Sequence, residues 1–254
     1  MNILLSSRIN SKFFNDIALA QDNDLTIYAH NIENQLYKLY SKIKPKFLFV
    51  NIFELNEEIN QFAIEYEHEC VVFCYCPNTN YYQYDVNFNA DARIVYLCYQ
   101  DDLIPNRRCL TIPKNIVNKR HLSYLLDQPK DNNIVCFLDG IHTENKQKLI
   151  SLLYPNNKDF NIRLFNDTNL KHPQNLGIVS HIDKLELLAK NNYVICNQGY
   201  EYYYESIFLS CKPIHIEKIG DNLSETINRI EQTKLNDIDN IHSFEDFFKE
   251  MVMK

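Results

Sequence analysis

The chain has 254 residues, of which 45% are hydrophobic and 23% charged, enough apolar material for one large domain or two compact ones. Its formal net charge of −7 at pH 7 argues against nucleic acid as the main partner, because phosphate binding needs a basic face. No run of about 18 apolar residues occurs, so the sequence predicts no membrane span. The first residues, MNILLSS, lack the features of a secretory signal, and we expect a cytoplasmic protein.

The eight cysteines lie mostly in apolar runs, as Cys70, Cys74 and Cys76 do in ECVVFCYCP. Zinc sites typically use ligand pairs with C-x2-C spacing, and the sequence has no such pair. Free thiols behave as small buried hydrophobes in a reducing compartment. We therefore expect no metal cofactor and no disulfide.

Short apolar runs rich in Val, Ile, Phe and Tyr alternate with longer amphipathic stretches along the chain. The runs predict buried strands at Asn2–Ser6, Leu25–Ala29, Lys46–Asn51, Cys70–Cys76, Arg93–Cys98, Ile134–Leu138, Ile162–Phe165, Leu176–Val179, Tyr193–Cys196 and Lys212–Ile216. The stretches predict helices at Asn31–Ile43, Glu54–Glu67, Thr143–Tyr154 and Asp183–Asn191. This alternation is typical of doubly wound α/β folds with parallel sheets.

A polar segment that contains Pro129, DQPKDNN, separates two series of predicted strands and helices. It predicts a linker. We expect an N-terminal Rossmann-like domain over residues 1–127 and a second one over residues 131–241. A C-terminal helix is expected over residues 242–254, with Ser243 as its N-cap.

The stretch YVICNQGYEYYYESIFLSCKPIHI, Tyr193–Ile216, predicts a buried strand, a tight loop, a helix over about Glu201–Ser210 and another strand. A phosphate at the carboxyl end of the first strand would meet the free N–H groups and the dipole at the start of that helix. Gly199 would let the backbone approach the ligand closely. Glu205 could accept hydrogen bonds from both hydroxyls of a ribose, although the same residue type is common on solvated helix faces.

A glycine after a buried strand, a glutamate six residues later and a small-x-Pro step into the next strand resemble the C-terminal domain of glycosyltransferases of the GT-B fold. Gly199, Glu205 and Pro213 stand where that family has its loop glycine, its ribose-binding glutamate and its proline. The resemblance covers about Ile134–Ile216. It implies two Rossmann-like domains whose mainly parallel sheets face each other across a cleft.

The resemblance also implies further donor-binding residues. SHIDKLELLAKNNYVICNQG is similar to the approach to the donor strand in this family and puts His181 in the loop under the nucleotide base. FLDGIHTENK is similar to its interdomain strand end and puts Gly140 beside the donor phosphates, with Asp139 next to it as a helix cap or a catalytic group. Tyr200 and Glu201 complete the donor-binding set, although a first-turn glutamate can also serve only as a cap.

The first half contributes candidates for phosphate binding and for catalysis. Arg8 follows the first strand, where a cation would meet a diphosphate or an acidic acceptor; Ser6 and Ser7 beside it would cap the next helix. Asp85, in the tyrosine cluster NYYQYD, is a candidate for the catalytic acid or base, as is His181. The tyrosines of this cluster would stack on a sugar ring or form a partly buried loop.

The resemblance implies a glycosyltransferase of polysaccharide biosynthesis, which transfers a sugar from a nucleotide diphosphate donor to a glycan or lipid-linked acceptor and requires no metal. A lipid-linked acceptor would bring the protein to a membrane surface. Two alternatives stay open, because a fold does not determine a function. One is a non-catalytic binding or assembly subunit, favoured by SSRINSKFF in place of a glycine-rich loop and by the tyrosines Tyr202–Tyr204. The other is a nucleotide-sugar epimerase of the same architecture.

Overall fold

The structure is a computed structural model that describes residues 1–7, 11–76, 93–99, 104, 107–137, 147, 149–151, 161–165, 176–177, 179–196, 202–215 and 241–253. The chain divides into two compact units. The first consists of Met1–Ile116 and Phe244–Lys254, and the second is Val117–Ser243.

The first unit contains a six-stranded parallel sheet with the order β2-β1-β3-β4-β5-β6. Its strands are β1 (Asn2–Ser6), β2 (Thr26–His30), β3 (Phe47–Asn51), β4 (Val71–Tyr75), β5 (Ile94–Tyr99) and β6 (Cys109–Ile112). Its helices are α1 (Lys12–Leu19), α2 (Leu36–Ile43) and α3 (Glu57–Glu65), with a 3-10 turn at Ile52–Glu54 before α3.

The second unit contains a four-stranded parallel sheet with the order β11-β10-β8-β9. Its strands are β8 (Asp131–Phe137), β9 (Asn161–Phe165), β10 (Asn191–Cys196) and β11 (Lys212–His215). Its helices with described bounds are α4 (Lys119–Ser123), α5 (His181–Lys190) and α6 (Tyr203–Phe208). Two short strands, β7 (Ile116–Val117) and β12 (His242–Ser243), pair with each other, and α7 (Phe244–Met253) follows.

The inner strands of the six-stranded sheet bury side chains on both faces, because successive residues of a strand point to opposite sides. The prediction that the second strand is buried was wrong, since no residue of the edge strand β2 is buried. On one face the sheet packs against α2 and α3, through Leu4, Leu48, Val50, Val72, Leu39, Ile59 and Phe62. On the other face it packs against α1 and α7, through Ile3, Leu5, Phe49, Phe73, Phe14, Ile17, Phe244 and Phe248. Continuous apolar runs thus form doubly covered parallel strands, and the predicted α/β fold with parallel sheets is confirmed.

Several predicted details differ from the structure. Helix α1 is capped by Ser11, whose hydroxyl accepts a hydrogen bond from the Phe14 N–H at 3.3 Å, so the prediction that Ser6 and Ser7 cap this helix was wrong. The described residues of Leu176–Val179 are not in a strand. Helix α6 covers Tyr203–Phe208 and is shorter than the predicted helix, which runs from about Glu201 to Ser210.

Four short elements, β6, β7, α4 and β12, were not predicted. Helix α4 has only five residues and depends on a side-chain cap, because the Asn118 amide oxygen accepts a hydrogen bond from the His121 N–H at 3.0 Å. Such elements are too short to produce a periodic apolar pattern. Of the predicted helix Thr143–Tyr154 the structure describes residues 147 and 149–151, which are helical.

Within the part of the chain that the structure describes, no helix is both long enough and apolar enough to cross a membrane. The same part contains no group of three or more His, Cys, Asp or Glu side chains arranged to hold a metal ion. Among the described residues, seven cysteines are present as thiols: Cys70, Cys74, Cys76, Cys98, Cys109, Cys136 and Cys211.

Candidate functional site

The order in which the chain adds strands to the four-stranded sheet reverses between β8 and β10. The chain passes from β8 to its neighbour β9 on one side and then crosses to β10 on the other side. Ligands of open α/β sheets bind beyond the carboxyl ends of the two strands at such a switch point. These ends are Phe137 and Cys196, and the strands are in register there, with Ile195 opposite Cys136. This edge of the sheet is therefore the candidate site of the second unit.

Helix α5 ends at Lys190, and β10 starts at the next residue, so the end of the helix lies at the amino edge of the sheet. The start of α5 therefore lies at the opposite, carboxyl edge. Its N-cap is Ser180, whose hydroxyl accepts a hydrogen bond from the Asp183 N–H at 3.2 Å. The Asp183 carboxylate in turn accepts one from the Ser180 N–H, which completes a capping box. His181 is consequently the first residue of a helix and is buried, so the prediction that it lies in a loop was wrong.

The side chain of His181 contacts the start of helix α6. Its Nδ1 atom lies 2.9 Å from the hydroxyl oxygen of Tyr202, which is the N-cap residue of α6. The ring of Tyr202 is buried and lies 5.4 Å from the ring of Phe137, measured between centroids. The starts of two helices and the end of β8 are thus held together at one place on the sheet edge.

Lys184 brings a positive charge to the same cluster. Its ammonium nitrogen lies 5.5 Å from the ring centroid of Phe137 and 5.1 Å from that of Tyr202. Cations are attracted to aromatic faces at such distances. Lys184 was not selected from the sequence, although it lies three residues after His181 and therefore on the same face of the helix.

Glu205 lies in the first turn of α6 and is only 2% exposed. The alternative that it is an ordinary solvated helix glutamate is therefore excluded. A buried carboxylate requires polar or charged partners, and the positive end of the helix dipole favours a negative charge at this position. Its neighbour Ser206 is fully buried, and the Ser206 hydroxyl donates to the Tyr203 carbonyl oxygen at 2.6 Å.

The remaining site residues predicted from the sequence lie outside the described residues. They are Arg8, Asp85, Asp139, Gly140, Gly199, Tyr200 and Glu201. Of the predicted set, the structure describes His181 and Glu205, and it ties His181 to the residue that begins the helix of Glu205.

The six-stranded sheet has its own switch point between β1 and β3, and a buried glutamate lies there. Glu54, which is 6% exposed, accepts a hydrogen bond from the Ser6 hydroxyl at the end of β1. It also accepts one from the Asn51 N–H at the end of β3, at 2.9 Å. Sequence reasoning missed this arrangement, although the spacing of Asn51 and Glu54 matches a capping box.

No protein-family model matches the chain, and no curated protein shows significant sequence similarity to it.

Proposed function

We propose that the protein is a nucleotide-sugar-dependent glycosyltransferase of GT-B type, which binds the nucleotide of its donor at the carboxyl edge of the four-stranded sheet. The observation that carries the proposal is the burial of the Glu205 carboxylate in the first turn of a helix that begins at the switch point of this sheet.

Glu205 is the proposed ribose-binding residue. An ionised carboxylate has two oxygens that accept hydrogen bonds, and a ribose presents two neighbouring hydroxyls as donors. Hydrogen bonds to a charged acceptor are stronger than neutral ones, and burial protects them from competition with water. The first turn of α6 offers this acceptor next to the helix start, where phosphates are bound in many α/β proteins.

Lys184 and the helix starts would stabilise the leaving diphosphate. In the transfer, the acceptor hydroxyl attacks the anomeric carbon, the bond from that carbon to the phosphate oxygen breaks, and negative charge grows on the diphosphate. A cation and N–H donors that are in place beforehand lower the energy of this charge. Gly140, Gly199, Tyr200 and Glu201, which lie outside the described residues, are the proposed contacts to the phosphates.

The first unit is the proposed acceptor half. It has a complete parallel sheet of its own, and α7 packs into its core although the residues before α7 belong to the second unit. Two parallel α/β units with a final helix that returns to the first are compatible with a GT-B enzyme. Arg8 and Asp85 are the proposed contacts to the acceptor or the phosphates, with Asp85 and His181 as candidates for the acid or base. The acceptor would be a glycan or a lipid-linked glycan.

A non-catalytic nucleotide-sugar-binding subunit is the second candidate. Tyr202 favours it, because a large buried residue with a φ of 67° occupies the helix start where the related enzymes often have a small residue. Such a protein would bind the nucleotide but not turn it over. An epimerase would instead remove the nucleotide from the sugar and add it back, with the sugar changed in configuration.

Nucleotide binding tests the proposal. A thermal-shift screen with UDP, GDP and CMP should find at least one compound that raises the melting temperature, because binding to the folded state stabilises it. Calorimetric titration of wild type and Glu205→Gln with that nucleotide should then show a loss of about tenfold to a hundredfold in affinity. Glu186→Gln is the matched control, since the Glu186 side chain is 46% exposed and pairs with Lys190 at 3.0 Å.

A deoxyribose analogue separates ribose binding from a general loss of structure. Wild type should bind the 2′-deoxynucleotide less tightly than the ribonucleotide, and Glu205→Gln should bind both about equally. If Glu205→Gln retains the preference for ribose, the assignment of this residue is wrong. If no nucleotide binds wild type, the proposed function fails, and binding without release of the sugar from any donor would favour the non-catalytic subunit.

A further inference from the structure

A pocket of about 310 Å³ lies between the six-stranded sheet and helix α7, entirely within the first unit. Its sheet side is formed by Phe47, Val71, Phe73 and Val95, and by Leu110 of the edge strand β6. Phe47 and Val71 are the first residues of β3 and β4, so the pocket lies toward the amino edge of the sheet. This is the edge opposite the switch point of the sheet.

The pocket exists because the helices do not cover this face completely. Helices α1 and α7 bury Ile3, Leu5 and Phe49 of this face. Three residues at the margin of the same core, Phe47, Val71 and Leu110, are only partly buried. Phe247 of α7 is also partly buried there. Apolar surface that stays in contact with water favours an apolar ligand, because its removal from water lowers the free energy. The volume lies at the lower end of the range for small-molecule sites.

Two charged side chains line the pocket. Arg108 precedes β6, lines the pocket and is exposed, and within the described part of the chain its guanidinium forms no ion pair. Glu250 lines the helix side and has an interaction of its own. A ligand with an anionic head would place that head at Arg108, because Glu250 would repel it.

We propose that this pocket binds a single-chain carboxylate amphiphile of the fatty-acid class. Its hydrocarbon chain would lie between Phe73, Val95 and Met251, and its carboxylate would pair with Arg108. This inference does not depend on the proposed nucleotide site, which belongs to the other unit.

Calorimetric titration of the full chain with decanoate, octanoate and decanol tests the proposal. Decanoate should bind, and it should bind about fifteenfold more tightly than octanoate, because each buried methylene contributes about fourfold. Val71→Phe fills the pocket and should abolish decanoate binding. Leu110→Phe on the edge strand fills it from another side and tests the same point if Val71→Phe does not fold.

The head group is tested separately. Arg108→Gln should weaken decanoate about twofold to fivefold, as expected for an exposed ion pair, and leave decanol unchanged. Lys249→Gln, on the same helix as Met251 but outside the pocket, is the control and should change neither ligand. The proposal is overturned if decanoate does not bind wild type, or if a folded pocket-filling variant binds it as well as wild type. Equal losses for decanoate and decanol in Arg108→Gln would overturn the assignment of the head group.

Discussion

The imidazole of His181 and the hydroxyl of Tyr202 lie 2.9 Å apart in the buried cluster that joins the starts of α5 and α6. Tyr202 has a φ of 67°, a left-handed conformation that is costly for a residue with a side chain. Its ring contacts with Phe137 and Lys184 and its bond to His181 offset this cost. The conformation of this residue therefore depends on the site that surrounds it.

Tyr202→Phe should lower the free energy of unfolding by about 1–3 kcal/mol, because it removes the hydroxyl that His181 contacts in a buried place. The ring and its packing stay. Urea unfolding measures the change, with Tyr124→Phe as the control, since Tyr124 is 78% exposed. Equal stability of Tyr202→Phe and wild type would show that this hydrogen bond contributes nothing.

Glu54→Gln should destabilise the first unit, since the carboxylate accepts hydrogen bonds from the Ser6 hydroxyl and the Asn51 N–H. The expected loss is about 1.5–3 kcal/mol, the range for hydrogen bonds to a buried charged group. Ser6→Ala should reproduce part of it. Glu57→Gln, at an exposed position in the first turn of α3, should cost less than about 1 kcal/mol. Similar losses in Glu54→Gln and Glu57→Gln would contradict the role of the buried bonds.

Lys130→Met should destabilise the second unit. The Lys130 ammonium donates hydrogen bonds to the carbonyl oxygens of Leu188, Ala189 and Asn191, at 3.3, 3.0 and 3.2 Å, and so caps the end of α5. Loss of a charged cap is expected to cost about 1–3 kcal/mol in chemical unfolding. Lys190→Met on the same helix removes only an exposed pair with Glu186 and should cost about 0.5 kcal/mol or less. If Lys130→Met and Lys190→Met are equally stable, the Lys130 ammonium does not stabilise the end of α5.

Stability should fall at alkaline pH, and Cys70 is one cause. Burial raises the pKa of the Cys70 thiol from 9.0 to about 12. The folded state therefore holds this proton more tightly than the unfolded state, and the stabilisation is complete below pH 9.0 and is lost as the pH rises toward about 12. The expected loss in this window is about 1.4 kcal/mol for each pH unit.

Urea unfolding of wild type and Cys70→Ala at about pH 8 and about pH 10 measures this contribution. The variant should be less stable at the lower pH but should lose less stability between the two. The Cys76 thiol and burial raise the pKa of Cys98, which adds to the loss in wild type and in the variant. Burial lowers the pKa of Lys130 below its usual 10.5, so just below pH 10.5 this group makes the folded state more stable as the pH rises. Its effect is opposite to that of the thiols and is the same in wild type and in the variant. An identical loss in Cys70→Ala and wild type would refute the role of this thiol.

Hydropathy alone located most of the strands but not their polar ends. The predicted strand Ile134–Leu138 begins three residues earlier in the structure, at Asp131, which pairs with Asn191 of β10. Backbone hydrogen bonds to a neighbouring strand continue a strand through polar residues, and no apolar pattern marks them. The neighbour can only be known from the fold.

The candidate site was predictable where its signal is local. The capping box of Ser180 and Asp183 can be recognised in the sequence, and it would have placed His181 on a helix rather than in a loop. The contacts of Lys184 with Phe137 and Tyr202 join three separate elements, so they have no local signal. The bond between Ser6 and Glu54 likewise depends on the strand order.

Helix α7 makes the first unit discontinuous in sequence, because its side chains, among them Phe244 and Phe248, pack into a core whose remaining residues lie between Ile3 and Ile116. During synthesis, the ribosome must translate the whole second unit before that core can close. Residues 117–243 can fold while residues 1–116 still expose the apolar face that α7 will cover, and domains generally fold as units as they emerge. The unit that is made first is thus the one that finishes folding last, and until then its uncovered apolar face is open to aggregation.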